Sequence, residues 1–340
     1  MISDTDRRRG NQTCTFFLFM NLLTGKKWCE FHENKAYCPL GFVSNFYILQ
    51  KRPEKRNSGM SVIKLIADSG ATKAEWCLLK GKKKKILFTQ GISPFLMTSE
   101  QISNLLRKEL KPKLAKESIK EIYFYGTGCS SEHNIKSVKK ALKETFPSAI
   151  KIKVDHDMMG AAKALCGHEK GVACILGTGS NACYFTGTRI SKNSPGLGYV
   201  LGDEGSGAYI GRKVIQHFLY NTFDEELKAR FLAKYKTDRV EILDNVYRKP
   251  LPNRYMASFA LFLAENRGHY MVENIIEDSF NEFFFNHLYK FRESWLYPIH
   301  FTGGVAYAFR DVLKSMCQTY ELQCGRILKN PMQGLIEYHS

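Results

Sequence analysis

Leu65-Ile66-Ala67-Asp68-Ser69-Gly70-Ala71-Thr72-Lys73 decides how the rest of the 340-residue chain is read. A short apolar run ends in a carboxylate, a glycine and a hydroxyl, and Glu75-Trp76-Cys77-Leu78-Leu79 follows at once as a second β-like run. The pattern predicts a hairpin whose tight turn carries polar groups. Glycine lets a bulky anion approach the backbone, Thr72 and exposed amides can donate to phosphate oxygens, and Asp68 at the strand end can hold a metal or its water. An ordinary strand-turn-strand with an Asp-Gly turn has the same outline.

The chain then repeats the phrase. Val172-Ala173-Cys174-Ile175-Leu176-Gly177-Thr178-Gly179-Ser180-Asn181-Ala182-Cys183-Tyr184-Phe185 is again an apolar run, a Gly-Thr/Ser turn and a short strand. With Gly179 laid on Gly70 the two copies coincide, which predicts two related halves facing one nucleotide.

Composition bounds the remaining possibilities. At 44% hydrophobic and 13% aromatic residues the chain reads as globular, long enough for two cores, and no run approaches the roughly 18 apolar residues of a membrane helix. A formal charge of +17 raises nucleic acid as a partner. Its lysines and arginines are scattered, however, in Arg7-Arg8-Arg9, Lys82 to Lys85 and Lys108 to Lys120, without the interleaved aromatics of a single-strand platform. The expected reading is no nucleic acid, no membrane, and a mild attraction for anionic substrates. Ten cysteines lie scattered with no Cys-x-x-Cys, and Cys77, Cys174 and Cys183 fall inside apolar runs as small buried hydrophobes. A reducing, cytoplasmic compartment is expected.

Residues 1–59 read differently, with ten Lys and Arg against five Asp and Glu and no sustained period. They are expected to lie outside the fold, which begins at Met60. A targeting or metal-binding arm built on Cys14, Cys29, His32 and Cys38 is the competing reading, although those spacings match no ligand set.

From Met60 the predicted order is three strands (Val62 to Ala67, Glu75 to Leu79, Lys85 to Phe88) and a helix from Ser99 to Leu110. Then come a strand from Glu121 to Tyr125 ending at Gly126-Thr127-Gly128, a helix from Ser131 to Thr145 and a strand from Ile150 to Val154. A first lobe over 60–170 and a second over 171–340 follow. The second holds the repeated hairpin, a glycine-rich stretch from Pro195 to Gly207 opening a helix, and a helical insertion over about 224–293. A strand at Ile299-His300-Phe301 then leads through Thr302-Gly303-Gly304-Val305-Ala306 into a further helix. Strand-helix alternation of this kind predicts an α/β fold with helices flanking the sheets.

Three turns together carry a resemblance. Asp68-Ser69-Gly70-Ala71-Thr72-Lys73, Gly177-Thr178-Gly179-Ser180-Asn181 and Thr302-Gly303-Gly304-Val305-Ala306 resemble the two phosphate motifs and the adenosine motif of the actin, hexokinase and Hsp70 ATPase superfamily. Gly202-Asp203-Glu204-Gly205-Ser206 and the Asp157-Met158-Met159-Gly160-Ala161-Ala162 helix start resemble N-acetylglucosamine kinases and their BadF/BadG-type relatives. The resemblance covers Met60 to Ser340 in order and spacing.

It implies two RNase H-like lobes, ATP in the cleft between them, and a sugar beside the γ-phosphate. Asp157 would be the general base, with Asp155 in reserve, although an aspartate before an apolar helix is also a natural N-cap. Asp68 would hold Mg²⁺. Ser69, Gly70, Thr72, Lys73, Gly177, Thr178, Gly179 and Ser180 would meet the phosphates, and Gly303 and Gly304 the adenosine. Asp203, Thr178 and Ser93 would face the sugar, while Glu204 and Ser206 could equally cap the following helix. Ser93 stands where relatives carry an Asn, which leaves N-acetylglucosamine less secure than an amino sugar in general. A homodimer is compatible with this reading. Two rivals remain: an ATPase driving electrons through an iron-sulfur cluster, for which Cys129 and Cys166 are the available thiols, and a nucleotide- or sugar-binding module without turnover.

Overall fold

The structure, a computed structural model, describes residues 62–70, 73–114 and 117–340. The expectations for residues 1–59 and for Thr72 lie outside the described residues.

The first hairpin forms as its pattern requires. β1 (Ile63–Ser69) pairs antiparallel with β2 (Lys73–Lys80), which puts Asp68 opposite Glu75, and β2 pairs antiparallel with β3 (Lys83–Gln90). Leu65, Ile66 and Ala67 are all fully buried. A strand covered on both faces reads as a continuous apolar run rather than an alternating one. Helix α1 (Ser99–Leu105) then carries the chain across the sheet, opened by a Thr98/Gln101 capping box. The single helix expected to Leu110 becomes a wide π turn over Leu106–Leu110 and a 3-10 turn over Lys111–Leu114, which keeps Leu106, Leu110 and Leu114 in the core. β4 (Glu121–Gly126) joins β1 in parallel, α2 (Glu132–Thr145) crosses over, and β5 (Lys151–His156) joins β4 in parallel. The strand order is β3-β2-β1-β4-β5.

The second sheet repeats this arrangement. β6 (Lys170–Leu176), β7 (Ser180–Thr186) and β8 (Ile190–Asn193) form the antiparallel half. β9 (Ile299–Thr302) and β10 (Cys324–Leu328) add in parallel beside β6, in the order β10-β9-β6-β7-β8. Read from its other end this is the order of the first sheet, so the two similar hairpins are the first and second strands of two equivalent sheets. The fold is α/β, with two RNase H-like halves of the actin-like ATPase kind.

Helix α3 (Asp157–Cys166) packs between the sheets. Ala164 belongs to a cluster with Ile66 and Tyr125, while Ala161 and Leu165 cluster with Ala173 and Phe185. Its small residues allow this close approach: a Cβ on Gly160 would lie 2.7 Å from the Tyr125 Cβ. Helices between β8 and β9 wrap an aromatic cluster of Phe223, Phe231, Phe259 and Phe262. The last helix, Met332–His339, leaves the second sheet and packs on α3, β1 and β2.

Candidate active site

Three adjacent parallel strands end side by side and bring the predicted carboxylates together. Asp68 lies beside Tyr125 near the end of β1, Gly126 lies beside His156, and Thr127 and Asp157 follow directly. Open α/β sheets place their ligands at such carboxyl ends. Thr127 Oγ1 donates to Asp157 Oδ2 at 2.9 Å, and the Thr127 N–H donates to the Ser69 carbonyl at 2.9 Å, so β4 is tied to both flanking strands.

Asp157 is not the helix cap. That position belongs to His156, whose Nδ1 accepts the Met159 N–H at 3.3 Å. Asp157 is the first helical residue, with Oδ1 accepting the Met158 N–H at 2.8 Å. Asp155 is engaged by the His156 N–H at 2.9 Å.

Asp68 sits in a more costly place. Burial first, and then the neighbouring charges of Asp157 and Glu75, push its carboxyl up to about 7. A cation would relieve that cost. Among the described residues no three His, Cys, Asp or Glu side chains converge as a metal-binding group, so Mg²⁺ held by Asp68 would draw its other ligands from phosphate and water, as that ion does.

The second turn is held from below and above. Gly207 and Ala208 N–H groups, opening the helix Gly207–Leu219, donate to the Gly177 and Thr178 carbonyls at 2.8 and 3.0 Å. Ser206 caps that helix through the Tyr209 N–H. Asp203 lies over the turn, its Oδ1 accepting the Ser180 N–H at 3.3 Å, and a Cβ on Gly179 would come within 3.0 Å of its other oxygen. Burial pushes the Asp203 carboxyl up, with Glu204 adding to the effect. Thr178 is exposed at the tip. The hydroxyls of Ser180 and Thr302 are buried with no protein partner, and polar groups left so are costly unless a ligand or water completes them.

β9 brings its turn against this one. Gly303 has φ +126°, and a Cβ there would be 2.2 Å from the Leu176 carbonyl oxygen, so only glycine fits. A Cβ on Gly304 would meet nothing within 4 Å. It faces a cavity of about 410 Å³ lined by Gly177, Thr178, Ala257, Ala260, Leu261 and Ala264 among others, a size suited to a nucleoside.

A structure from Porphyromonas gingivalis described as a candidate N-acetylglucosamine kinase is 41% identical to this chain, with a TM-score of 0.78, and the match covers 81% of this chain and 98% of that one. The chain belongs to the N-acetylglucosamine kinase family of the actin-like ATPase superfamily. A second structure, from Chromobacterium violaceum and also described as a candidate N-acetylglucosamine kinase, matches at 16% identity and a TM-score of 0.61 over 82% of this chain and 99% of that one; this likeness is one of fold. No protein-family model matches the chain, and no curated protein does.

Two side chains expected at the phosphates have partners inside the fold. The Ser69 hydroxyl is buried and accepts the Ile92 N–H at 2.9 Å, anchoring the loop that carries Ser93. The Lys73 ammonium stands 3.9 Å over the Phe88 ring on the neighbouring strand, while its carbonyl closes the turn on the Gly70 N–H at 3.1 Å. Ser93 is buried, and its carbonyl accepts the N–H groups of Leu96 and Met97 at 3.0 Å. Cys129 and Cys166 are both buried, and burial pushes each thiol up to about 12.

Thr127 and the alanine-lined wall of the nucleoside-sized cavity were not singled out from sequence. For Thr127 a signal existed, since Gly126-Thr127-Gly128 echoes Gly177-Thr178-Gly179.

Proposed function

We propose that the chain is an ATP-dependent amino-sugar kinase that transfers the γ-phosphoryl group of ATP to a hydroxyl of N-acetylglucosamine or a close relative. The observation that carries this reading is Asp157: a carboxylate released from capping by His156, held by Thr127 just past the end of β4, on a sheet whose β1 carries Asp68 near its end. Asp157 accepts the proton of the attacking sugar hydroxyl as the bond to phosphorus forms, and ADP leaves with the electrons of the broken P–O bond. Asp68 would hold Mg²⁺, which would supply charge neutralisation for the phosphates. Gly70 and the Gly177, Thr178, Gly179 and Ser180 turn bind phosphate, and Gly303 and Gly304 receive adenosine beside the cavity of Ala257, Ala260 and Leu261. Asp203 faces the sugar, while Ser93, itself buried, stands in the loop that Ser69 anchors. N-acetylglucosamine is taken from the description of the 41%-identical Porphyromonas protein. The lobes are assigned to 60–170 and 171–340, and the compartment to the cytoplasm, in line with the free cysteines among the described residues.

ADP release by the full chain, with Mg-ATP and a panel of amino sugars, tests this reading. One sugar is expected to stimulate release strongly, and Asp157→Asn to lower kcat by about 10²–10⁴-fold with nucleotide binding retained. Hydrolysis indifferent to every sugar, or a fully active Asp157→Asn, overturns it.

A further inference from the structure

Behind the glycine-rich loop lies a linear hydrogen-bonded array that none of the roles above uses. Ser194, 1% exposed at the end of β8, places its Oγ 2.6 Å from His287 Nδ1, and His287 Nε2 lies 2.9 Å from Glu204 Oε2. An ionised carboxylate only accepts, so Nε2–H donates to Glu204, and in the neutral imidazole the Ser194 hydroxyl donates to Nδ1. A serine so deeply buried meets no substrate, which excludes the nucleophilic role that a Ser-His-carboxylate set first suggests.

What the array holds is the loop. Asp203 has φ +57° and Gly205 has φ +69°, so Glu204 stands between two left-handed residues, one of which carries a side chain. A side-chain-bearing residue keeps that conformation only where its surroundings impose it. Both anchors come from one segment: Gly205 packs so closely on Phe283 that a Cβ would be 2.9 Å from the Phe283 Cβ, and Glu204 is bound by His287 on the π turn Phe284–Leu288. Phe283 and His287 in turn stack at 4.9 Å. An expanded turn of this sort often marks a site under functional constraint.

We propose that Ser194, His287 and Glu204 are positioning residues for substrate recognition: the array fixes the left-handed backbone at Asp203 and so keeps the Asp203 carboxylate over the Gly177–Ser180 turn. The link to sugar rests on the amino-sugar kinase reading; the link to the turn does not.

Two measurements on the full chain separate these links. Hydrogen exchange of the Ser180 amide, which donates to Asp203, reads the position of the carboxylate without any sugar. Sugar affinity by calorimetry reads recognition. Glu204→Ala and His287→Ala are each expected to speed Ser180 exchange and to weaken sugar binding by about tenfold, the scale of one lost charge-assisted hydrogen bond. Glu204→Gln, which keeps an acceptor for His287 Nε2–H, restores both. In an Asp203→Ala background, which has no acceptor for the Ser180 N–H, the loss from Glu204→Ala disappears, whereas a general weakening of the fold adds to it. Unchanged Ser180 exchange in a folded Glu204→Ala protein, or additive losses with Asp203→Ala, overturns the proposal. Faster exchange in Glu204→Ala together with a wild-type chain that binds no sugar leaves the positioning of Asp203 standing and removes the kinase reading instead.

Discussion

At the scale of single residues, Asp68 is where burial and charge oppose each other most directly. Its ordinary pKa is near 4, and in the fold it is about 7. Between those values the folded state holds a proton that the unfolded state has lost, so through this group stability falls as pH rises from about 4 to about 7 and is level above. Asp68→Asn should remove that slope and raise the melting temperature at pH 8 while changing little at pH 4. Thermal melts of both proteins at the two values check this; a variant less stable at pH 8 would show that the carboxylate is compensated inside the fold. With magnesium held at Asp68 as proposed, the ion would select the ionised form, so Mg-ATP affinity should weaken as pH drops below about 7 in the wild type. Asp68 was legible in the sequence because a strand followed by a polar turn fixes where its last carboxylate lies. The His156 cap was not, because two neighbouring residues can each cap a helix, and the choice depends on where the β4–β5 register ends.

Among the elements, the two hairpins were legible for a physical reason: both lie at the centre of sheets covered on two faces, so their strands had to be apolar throughout and their turns stood out. The wall of the cavity beside Gly304 was not legible. Ala257, Ala260, Leu261 and Ala264 come from the helical insertion, where small residues at helical spacing look like ordinary packing until the turn after β9 is seen opposite them. The turn itself separates two neighbouring glycines. Gly303→Ala must drive a Cβ against the Leu176 carbonyl from a left-handed backbone, a strain expected to cost more than about 2 kcal/mol and several degrees of melting temperature. Gly304→Ala meets no protein atom and should melt with the wild type. Filling the cavity instead, with Ala264→Trp, should weaken ADP binding by about tenfold or more while sugar binding survives. Calorimetry with each ligand checks the pair; ADP binding untouched by the tryptophan would move the nucleoside elsewhere.

For the molecule as a whole, the return of the C-terminal helix to the first sheet is a long-range contact that no local period announces, since an amphipathic helix does not name its partner. Its closing residue shows what the return achieves. His339 stacks on Tyr123 at 3.9 Å, shares a 2.9 Å hydrogen bond between Nε2 and the Tyr125 hydroxyl, and accepts the Lys64 ammonium at its carbonyl. Lys163 of α3 reaches the same Tyr125 hydroxyl at 3.3 Å, so the helix, the first sheet and α3 meet in one cluster. Burial, and then the charges of Lys163, Lys64, Lys151 and Lys153, push the imidazole down to about 3. Here the unfolded state binds the proton first, so stability through this group is complete above about 6.5 and is lost as pH falls towards 3, opposite in sign to Asp68. His339→Phe keeps a ring on Tyr123 but cannot protonate. It should be less stable than the wild type at pH 7, where a hydrogen bond of about 1 kcal/mol is missing, and should close that gap or reverse it at pH 4.5. Urea denaturation at both values measures the difference. A gap that stays constant would place the acid sensitivity at His300 instead, whose imidazole burial pushes down to about 4 beside Arg326 in the second sheet, and would leave the C-terminal clamp indifferent to pH.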